Sequence, residues 1–334
     1  MRIRSFLSAM SLLLLLPLSA WAANKPRSQP EIRVGIVLFD GVQIIDFAGP
    51  YEVFGNAGFG VTTVSADGKP VQTAMGLKVT PDSSFADAPQ FDVLLVPGGD
   101  VDEAQKNAQI LDFIRARSQP ARQVLSVCTG AFILGETGLL DGLKATTVTA
   151  AINALAKQYP KIQVVTDVRW TDNGKFITSA GLSSGIDAAL HVVERLRGEE
   201  IARAAALHME YDWRREHSFV RSKMADRYFP QQLQTTVKWP KGIEFADVIS
   251  VGDERQWRKR LSVTTTTSAD ALTRLIAGGV GSIGGWTSEP AASGYRWYSQ
   301  REGHRVTMTL NTYPATAGGD YELEMAFVVD QPKP

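Results

Sequence analysis

The chain has 334 residues, with 35 basic and 35 acidic side chains and 44% hydrophobic residues. This composition is typical of a globular protein long enough for two domains, and it excludes an intrinsically disordered chain. The balanced charge gives no sign of the basic patch or stripe that a nucleic-acid-binding protein carries.

The first 22 residues have the pattern of a secretory signal peptide. Arg2 and Arg4 precede the apolar run SLLLLLPLSA, and Ala20-Trp21-Ala22 fits a signal-peptidase site. A bilayer span needs about 20 apolar residues, so this run favours cleavage after Ala22 over the alternative of a retained anchor. We therefore expect a periplasmic or secreted protein, without stable insertion in the membrane.

Strand-like and helix-like segments alternate from Glu31 to about Trp213. IRVGIVLF, FDVLLVPGG and QVLSV are near-continuous apolar runs, as parallel strands covered on both faces should be. A hairpin is predicted at Asp172-Asn173-Gly174. The alternation predicts an α/β sandwich with a mostly parallel sheet in residues 31–215.

The pattern changes after about Pro230, where segments resembling antiparallel strands surround one helix. Ser268 is the predicted N-cap of that helix, SADALTRLIAGGV, and Asp270 lies in its first turn. We interpret 216–237 as a linker and 238–330 as a smaller α+β domain of about ββαβββ order. Four aromatic residues there suit either a binding surface or a core: Trp257, Trp286, Trp297 and Tyr298.

Cys128 is the single cysteine of the chain and follows the strand-like run QVLSV. A lone thiol in an oxidising compartment is either buried and inert or kept for its chemistry. At a junction between a strand and a helix, it would lie at the carboxyl edge of the sheet, near the positive end of the helix dipole. Both features favour the nucleophilic thiolate, although the local sequence leaves the inert alternative open.

Two other segments supply candidate partners for this thiol. Gly98-Gly99 ends a neighbouring buried strand, where backbone amides could stabilise an oxyanion, or where the glycines form an ordinary turn. Asp46 lies among the apolar residues of QIIDFAG, a position that disfavours an unpaired carboxylate. It is a candidate for sharing a proton with the thiol, with a helix cap or a surface position as the alternative.

Four motifs together resemble the DJ-1/PfpI superfamily: FDGVQIIDFAGPYEVFG, DVLLVPGG, VLSVCTGAFILGETGLLDGLKATT and ITSAGLSSGIDAALHVVERL. The most similar branch contains isonitrile hydratases and the amidotransferase-like domains of some AraC-type regulators. This resemblance implies a flavodoxin-like three-layer sandwich and possible homodimerisation. It also implies a nucleophilic cysteine at Cys128, an acidic partner at Asp46 and a contribution from Thr129, with Gly98-Gly99 beside the nucleophile.

The sequence departs from this family in two places. Many relatives read ATTHW where this chain reads ATTVT, so Val148 replaces a histidine near the cysteine. A Cys-His pair for amide cleavage is therefore doubtful. The β-rich tail also differs from the helix-turn-helix region of the regulators, which argues against DNA regulation.

The sequence thus predicts an exported, cysteine-dependent hydratase or lyase of isonitrile-hydratase type that acts on a small molecule. Two alternatives remain open: a non-catalytic ligand-binding or thiol redox-sensing module, and glyoxalase- or deglycase-like action on reactive carbonyls. We expect neither a cofactor nor a metal, because no histidine has metal-ligand spacing: His191, His208, His217 and His304.

Overall fold

The computed structural model describes residues 32–215, 219–316 and 318–330. The predicted signal peptide and its cleavage site lie outside these residues. No described helix has the length and apolar character needed to cross a bilayer.

The first domain alternates strands and helices as the sequence pattern predicts. Its strands are β1 (Arg33–Val37), β2 (Gly60–Ser65), β3 (Val71–Gln72), β4 (Lys78–Val79), β5 (Ser83–Ser84), β6 (Val93–Val96), β7 (Gln123–Val127), β8 (Lys144–Ala145), β9 (Gln163–Val164), β10 (Trp170–Asp172) and β11 (Phe176–Ser179). Its α-helices are α1 (Ile44–Asn56), α2 (Ala108–Ser118), α3 (Gly130–Glu136), α4 (Ile152–Gln158), α5 (Ser183–Arg197) and α6 (Glu199–His208).

Seven of these strands form one sheet in the order β10-β11-β7-β6-β1-β2-β5. All neighbours are parallel except β10 and β11, which form the predicted hairpin. Helices α1, α5 and α6 pack together as one layer, and α2 packs with α3. The central strands β6 and β7 are buried along their whole length, because helices cover both faces of the sheet. The predicted flavodoxin-like sandwich is confirmed.

Helix α1 contains a proline in its interior. Proline usually kinks or breaks a helix, but one helix runs through Pro50 here. Gly49 allows close packing here, because a Cβ at this position would lie 2.9 Å from Cγ1 of Ile186 in α5. Burial against α5 therefore compensates for the backbone hydrogen bond that proline cannot make.

The second domain is built on a six-stranded antiparallel sheet of order β12-β13-β17-β16-β15-β14. Its elements are α7 (Leu233–Thr236), β12 (Glu244–Gly252), β13 (Gln256–Thr264), α8 (Ala269–Ile283), β14 (Thr287–Glu289), β15 (Tyr295–Arg301), β16 (His304–Pro314) and β17 (Tyr321–Val329). The short strand β14 extends the predicted ββαβββ order to ββαββββ. Ser268 caps α8, since its hydroxyl accepts a hydrogen bond from the amide of Ala271.

The segment interpreted as a linker contributes to the core of this second domain. Four of its residues are buried in that core: Ala225, Tyr228, Leu233 and Val237. Trp286 and Trp297 are also core residues, whereas Trp257 and Tyr298 are half-buried. The packed core therefore includes Ala225, 13 residues before the predicted start of the domain at residue 238.

Candidate active site

Cys128 is the first residue after β7 and has a left-handed backbone conformation, with φ of 57°. Such a conformation is uncommon for a residue other than glycine and is found mostly where the surroundings impose it. Here the Cys128 amide donates to the carbonyl oxygen of Ser179 at 3.1 Å, and the Thr147 hydroxyl donates to the Cys128 carbonyl oxygen at 2.8 Å. Buried backbone contacts on both sides thus hold the turn that presents the thiol.

Two glycines leave room for this turn. A Cβ on Gly181, whose φ is 96°, would lie 2.5 Å from Cβ of Cys128. A Cβ on Gly98 would lie 2.9 Å from the same atom. Real Cβ atoms do not approach so closely, so the cysteine packs tightly between the ends of β6 and β11.

Asp46 lies in the first turn of α1 and its side chain is fully buried. Its Oδ1 atom accepts a 3.0 Å hydrogen bond from the amide of Leu182. Its Oδ2 atom is buried and accepts no hydrogen bond of standard geometry from the described residues, although the Cys128 thiol is near enough to interact with the carboxyl group. The Oδ1 atom is therefore held by a backbone hydrogen bond, and the Oδ2 atom is available for a proton.

Burial determines the protonation state of both groups. It raises the pKa of Asp46 to about 6, against the opposing effect of the Leu182 amide. Burial, reinforced by the negative charge of Asp46, raises the pKa of the Cys128 thiol to about 12. Desolvation and the neighbouring carboxylate therefore oppose the thiolate that the dipole of the seven-residue helix α3 favours, and a resting thiolate stays a prediction. Both shifts favour the protonated forms of the two groups.

Thr129 connects the cysteine turn to the turn after β6. Its hydroxyl accepts from the amide of Gly99 at 2.9 Å and donates to the carbonyl oxygen of Gly99 at 2.8 Å. The Gly99 amide is thus occupied in this structure and is not free for an oxyanion. The amides of Gly98 and Thr129 interact with the Asp46 carboxyl group and the Cys128 sulfur, respectively. Their predicted role in holding negative charge stays a prediction.

Sequence reasoning missed two residues that organise the site. Leu182 carries the amide that binds Asp46, and its own φ of 51° places that amide there. Thr147 is buried and binds the carbonyl oxygen of the cysteine. The sequence gives no signal for either contact. Leu182 uses only its backbone amide, and a threonine hydroxyl can bind a backbone carbonyl oxygen at many positions.

A cavity of about 160 Å³ opens beside this site. Thr147, Val148 and Gly181 line one side, and the segment from Phe219 to Ser222 lines the other. The hydroxyl of Ser222 donates to the carbonyl oxygen of Thr166 at 2.6 Å, which fastens that segment to the first domain. Val148 therefore presents an apolar wall at the position where a histidine would supply a proton.

A buried ion pair supports the turn that carries Leu182. Asp187 accepts from Nε of Arg169 at 2.6 Å and from the hydroxyl of Tyr211 at 2.8 Å, and Arg169 also reaches Oγ of Ser183 at 3.3 Å. Both partners of the pair are at most 9% exposed. This network joins the start of α5 to the residue before β10, and so keeps the Leu182 amide in place.

The described residues contain no group of three or more His, Cys, Asp or Glu side chains placed to bind a metal ion. His191 instead pairs with Asp172 at 2.9 Å and stacks on Trp170. His217 lies outside the described residues.

Comparison with known proteins places this site in a family. A model of the DJ-1/PfpI family matches residues 32–195. Isonitrile hydratase of Pseudomonas putida is 38% identical over 185 residues, which are 54% of this chain and 78% of that protein. The HTH-type transcriptional regulator GbdR of Pseudomonas aeruginosa is 28% identical over 186 residues, 54% of this chain and 50% of the regulator.

A solved structure of the same family is also similar to this chain. A ThiJ/PfpI family protein from Pseudomonas syringae is 33% identical with a TM-score of 0.51, over 56% of this chain and 77% of that one. The family match ends before the second domain begins. The parallel sheet, the left-handed cysteine after β7 and this shared sequence lead to one conclusion: the chain belongs to the DJ-1/PfpI family.

Proposed function

We propose that this protein is a hydratase of isonitrile-hydratase type, with Cys128 as the nucleophile and Asp46 as its proton acceptor. The observation that carries the proposal is the buried Oδ2 atom of Asp46. This atom has no hydrogen-bond partner of standard geometry among the described residues, and its carboxyl group interacts with the thiol. A base works best when its pKa lies near the working pH, and burial brings the pKa of Asp46 to about 6. The identity with isonitrile hydratase supports the choice of substrate class.

The first step forms a covalent adduct. The Cys128 sulfur bonds to the terminal carbon of the isonitrile as its proton passes to Oδ2 of Asp46. Asp46 then returns that proton to the same carbon. The adduct is a thioimidate, in which the former isonitrile carbon bears sulfur, hydrogen and a double bond to nitrogen. Because the proton moves during attack, the site needs no resting thiolate.

The second step consumes one water molecule. Asp46 accepts a proton from water as the oxygen attacks the thioimidate carbon, and it then gives this proton to the nitrogen. As the intermediate collapses and the carbon–sulfur bond breaks, Asp46 takes the remaining hydroxyl proton and passes it to the sulfur, which restores the thiol and the carboxylate. The product is an N-substituted formamide, so one isonitrile and one water give one product without oxidant or reductant. The amides of Gly98 and Thr129 are the groups that would bind charge during both steps.

The apolar wall at Val148 favours this reaction over amide cleavage. Cleavage of an amide releases an amine, which needs a proton donor beside the leaving nitrogen. Hydration of an isonitrile keeps the nitrogen in the product, and no leaving amine must be protonated. The same absence of a donor on that side weakens glyoxalase- or deglycase-like chemistry.

A non-catalytic role is the main competing function, because a regulator is among the relatives. The second domain, however, is an antiparallel sheet with one long helix. This fold does not suit a DNA-binding regulator and so favours the enzyme.

Turnover by the purified protein, lacking residues 1–22, tests the proposal. A panel of alkyl and aryl isonitriles is supplied, and formamide products are measured by mass spectrometry. Cys128→Ala should abolish turnover, and Asp46→Asn should lower kcat by about a hundredfold or more. Glu52→Gln is the matched control, because Glu52 is exposed on the same helix as Asp46 and should leave kcat unchanged.

The intermediate gives a second measurement. Rapid acid quenching should yield a protein mass increased by that of one isonitrile, located on Cys128. Full turnover by Cys128→Ala, or no turnover by the folded wild-type protein with any isonitrile, would contradict the proposal.

We also propose that the protein is exported and processed after Ala22. The residues concerned lie outside the described structure, and their pattern in the sequence supports this proposal. A tagged chain should appear in the periplasm or medium with Ala23 as its first residue, and Ala22→Arg should block the processing. A wild-type chain retained in the cytoplasm at its full length would overturn it.

A further inference from the structure

The second domain contains a cavity that the proposed function does not use. Its volume is about 790 Å³, and it lies between the β12-β13-β17 side of the sheet and the segment from Arg221 to Trp239. Small-molecule sites in proteins are mostly apolar cavities of about 300–1,000 Å³. The cavity is therefore large enough for a compact organic molecule.

Aromatic side chains form much of its wall. Trp239 packs edge to face on Phe245 with ring centroids 5.4 Å apart, and Trp257 and Phe229 also line the cavity. Trp239 and Trp257 are half-buried, and Phe245 is 39% exposed. These rings are not fully buried in the core. The guanidinium of Arg221 lies over the Trp257 ring, 4.7 Å from its centroid, so Trp239 and Phe245 are the rings that would contact a flat ligand.

The charged side chains of the cavity neutralise one another. Lys259 pairs with Asp247 at 3.2 Å, and Arg221 pairs with Asp226 at 2.5 Å. All four line the cavity, which leaves its net charge at zero. Burying a charged ligand without a partner is strongly unfavourable, so this wall complements an uncharged molecule.

One polar group is positioned to orient such a ligand. The hydroxyl of Ser250, which lines the cavity, accepts a hydrogen bond from Nε1 of Trp257 at 3.3 Å. Its own proton is then free to be donated to an acceptor on the ligand. A few polar groups in a mostly apolar cavity are the usual source of orientation in small-molecule sites.

We propose that this cavity is a binding site for an uncharged small molecule that carries an aromatic ring and a hydrogen-bond acceptor. The ligand packs against the rings of Trp239 and Phe245 and receives the Ser250 proton. The site lies in the second domain and does not depend on the chemistry of Cys128.

Two fluorescent probes of opposite character test this proposal with the full mature chain. N-phenyl-1-naphthylamine is aromatic and uncharged, and 1-anilinonaphthalene-8-sulfonate is aromatic and anionic. The uncharged probe should bind one site per chain with micromolar Kd and bind more tightly than the anion. Trp239→Ala and Phe245→Ala should each weaken it by about tenfold, which corresponds to about 1.4 kcal/mol. Val251→Ala is the control, because Val251 is an exposed apolar residue of the same strand, β12, away from the cavity.

A charge-changing variant sharpens the test. Asp247→Asn removes the partner of Lys259 and leaves a positive charge at the wall, so it should shift the ratio of the two Kd values toward the anion by about fivefold or more. Near-ultraviolet circular dichroism of each variant confirms that the domain is folded, which excludes probe binding to a loosened core.

Four outcomes would overturn the proposal. The folded wild-type protein does not bind the uncharged probe. The Trp239, Phe245 and Val251 variants bind it equally. Probe binding falls as the protein concentration rises, which would mean that a second copy of the chain covers the cavity. Binding requires removal of residues 331–334 or 23–31, which would mean that a segment of the chain itself occupies it.

Discussion

The amide of Leu182 donates a 3.0 Å hydrogen bond to Oδ1 of Asp46, a residue 136 positions earlier in the chain. This bond joins the turn before α5 to the first turn of α1. It holds one carboxylate oxygen and leaves the other for the proton of Cys128. The acid–thiol pair therefore depends on a backbone contact between two distant segments, and the following predictions test that arrangement.

Asp46→Asn should stabilise the protein at neutral pH. Burial raises the pKa of Asp46 from 3.8 to about 6, so its ionised form destabilises the folded state by about 1–3 kcal/mol above pH 7. This penalty decreases as pH falls from about 6 toward 4, where the folded protein takes up a proton before the unfolded one does. In urea unfolding, Asp46→Asn should be more stable than the wild-type protein at pH 7.5, and the two should be about equally stable at pH 4. Equal stabilities at both would show that burial does not shift this pKa.

Asp46→Asn should speed alkylation of the Cys128 thiol, although the same substitution should lower turnover. In the wild-type protein, burial and the Asp46 charge raise the pKa of Cys128, so iodoacetamide at pH 8 should react about a hundredfold or more slowly than with free cysteine. Removing the charge should lower the thiol pKa and speed alkylation several-fold. Urea-unfolded protein is the control and should react at the ordinary rate. Slower alkylation in the variant would mean that Asp46 favours the thiolate.

Turnover should rise with pH through about 6 in the wild-type protein. The carboxylate form of Asp46 is the one that accepts the thiol proton, and its pKa is raised to about 6. The acidic limb of kcat/KM against pH reports groups of the free enzyme, and it should disappear in Asp46→Asn, with the residual kcat/KM flat from pH 5 to 8. A limb that persists in the variant would assign it to another group.

Thr147→Val should destabilise the protein by about 1 kcal/mol, because it removes the hydrogen bond to the carbonyl oxygen of Cys128. Thr146→Val is the matched control. The Thr146 hydroxyl is also buried but has no hydrogen-bond partner in the part of the chain that the structure describes, so its removal should be neutral or stabilising. Thermal unfolding measures both, and the same decrease in Tm for both variants would show that the Thr147 bond contributes nothing specific.

Gly181→Ala should destabilise by more than about 3 kcal/mol and abolish turnover, because its Cβ would collide with Cβ of Cys128. Gly138→Ala separates this collision from backbone strain. Gly138 also has a positive φ, of 78°, but a Cβ there would meet no atom within 4 Å. The control should lose only about 1–2 kcal/mol, and equal losses would contradict the close packing at Gly181.

Much of the fold was predictable because it follows from local patterns. Apolar runs predicted β6 and β7, and the Asp172-Asn173-Gly174 turn predicted the β10-β11 hairpin. Ser268 predicted the start of α8. These signals are short-range, so they survive in a single sequence. The extension of the second core into Ala225 and Tyr228 was not predictable, because polar and charged residues separate the apolar residues of that segment.

The sequence by itself determined the sheet of the first domain, the position of the cysteine after a buried strand and the glycines that such a turn requires. Only the tertiary structure decided the protonation of the site. Helix and strand periodicity depends on neighbours a few residues apart, whereas a pKa depends on how much water and charge surround a group in space. Asp46 and Cys128 are 82 positions apart in the chain, and their shared burial raises both pKa values.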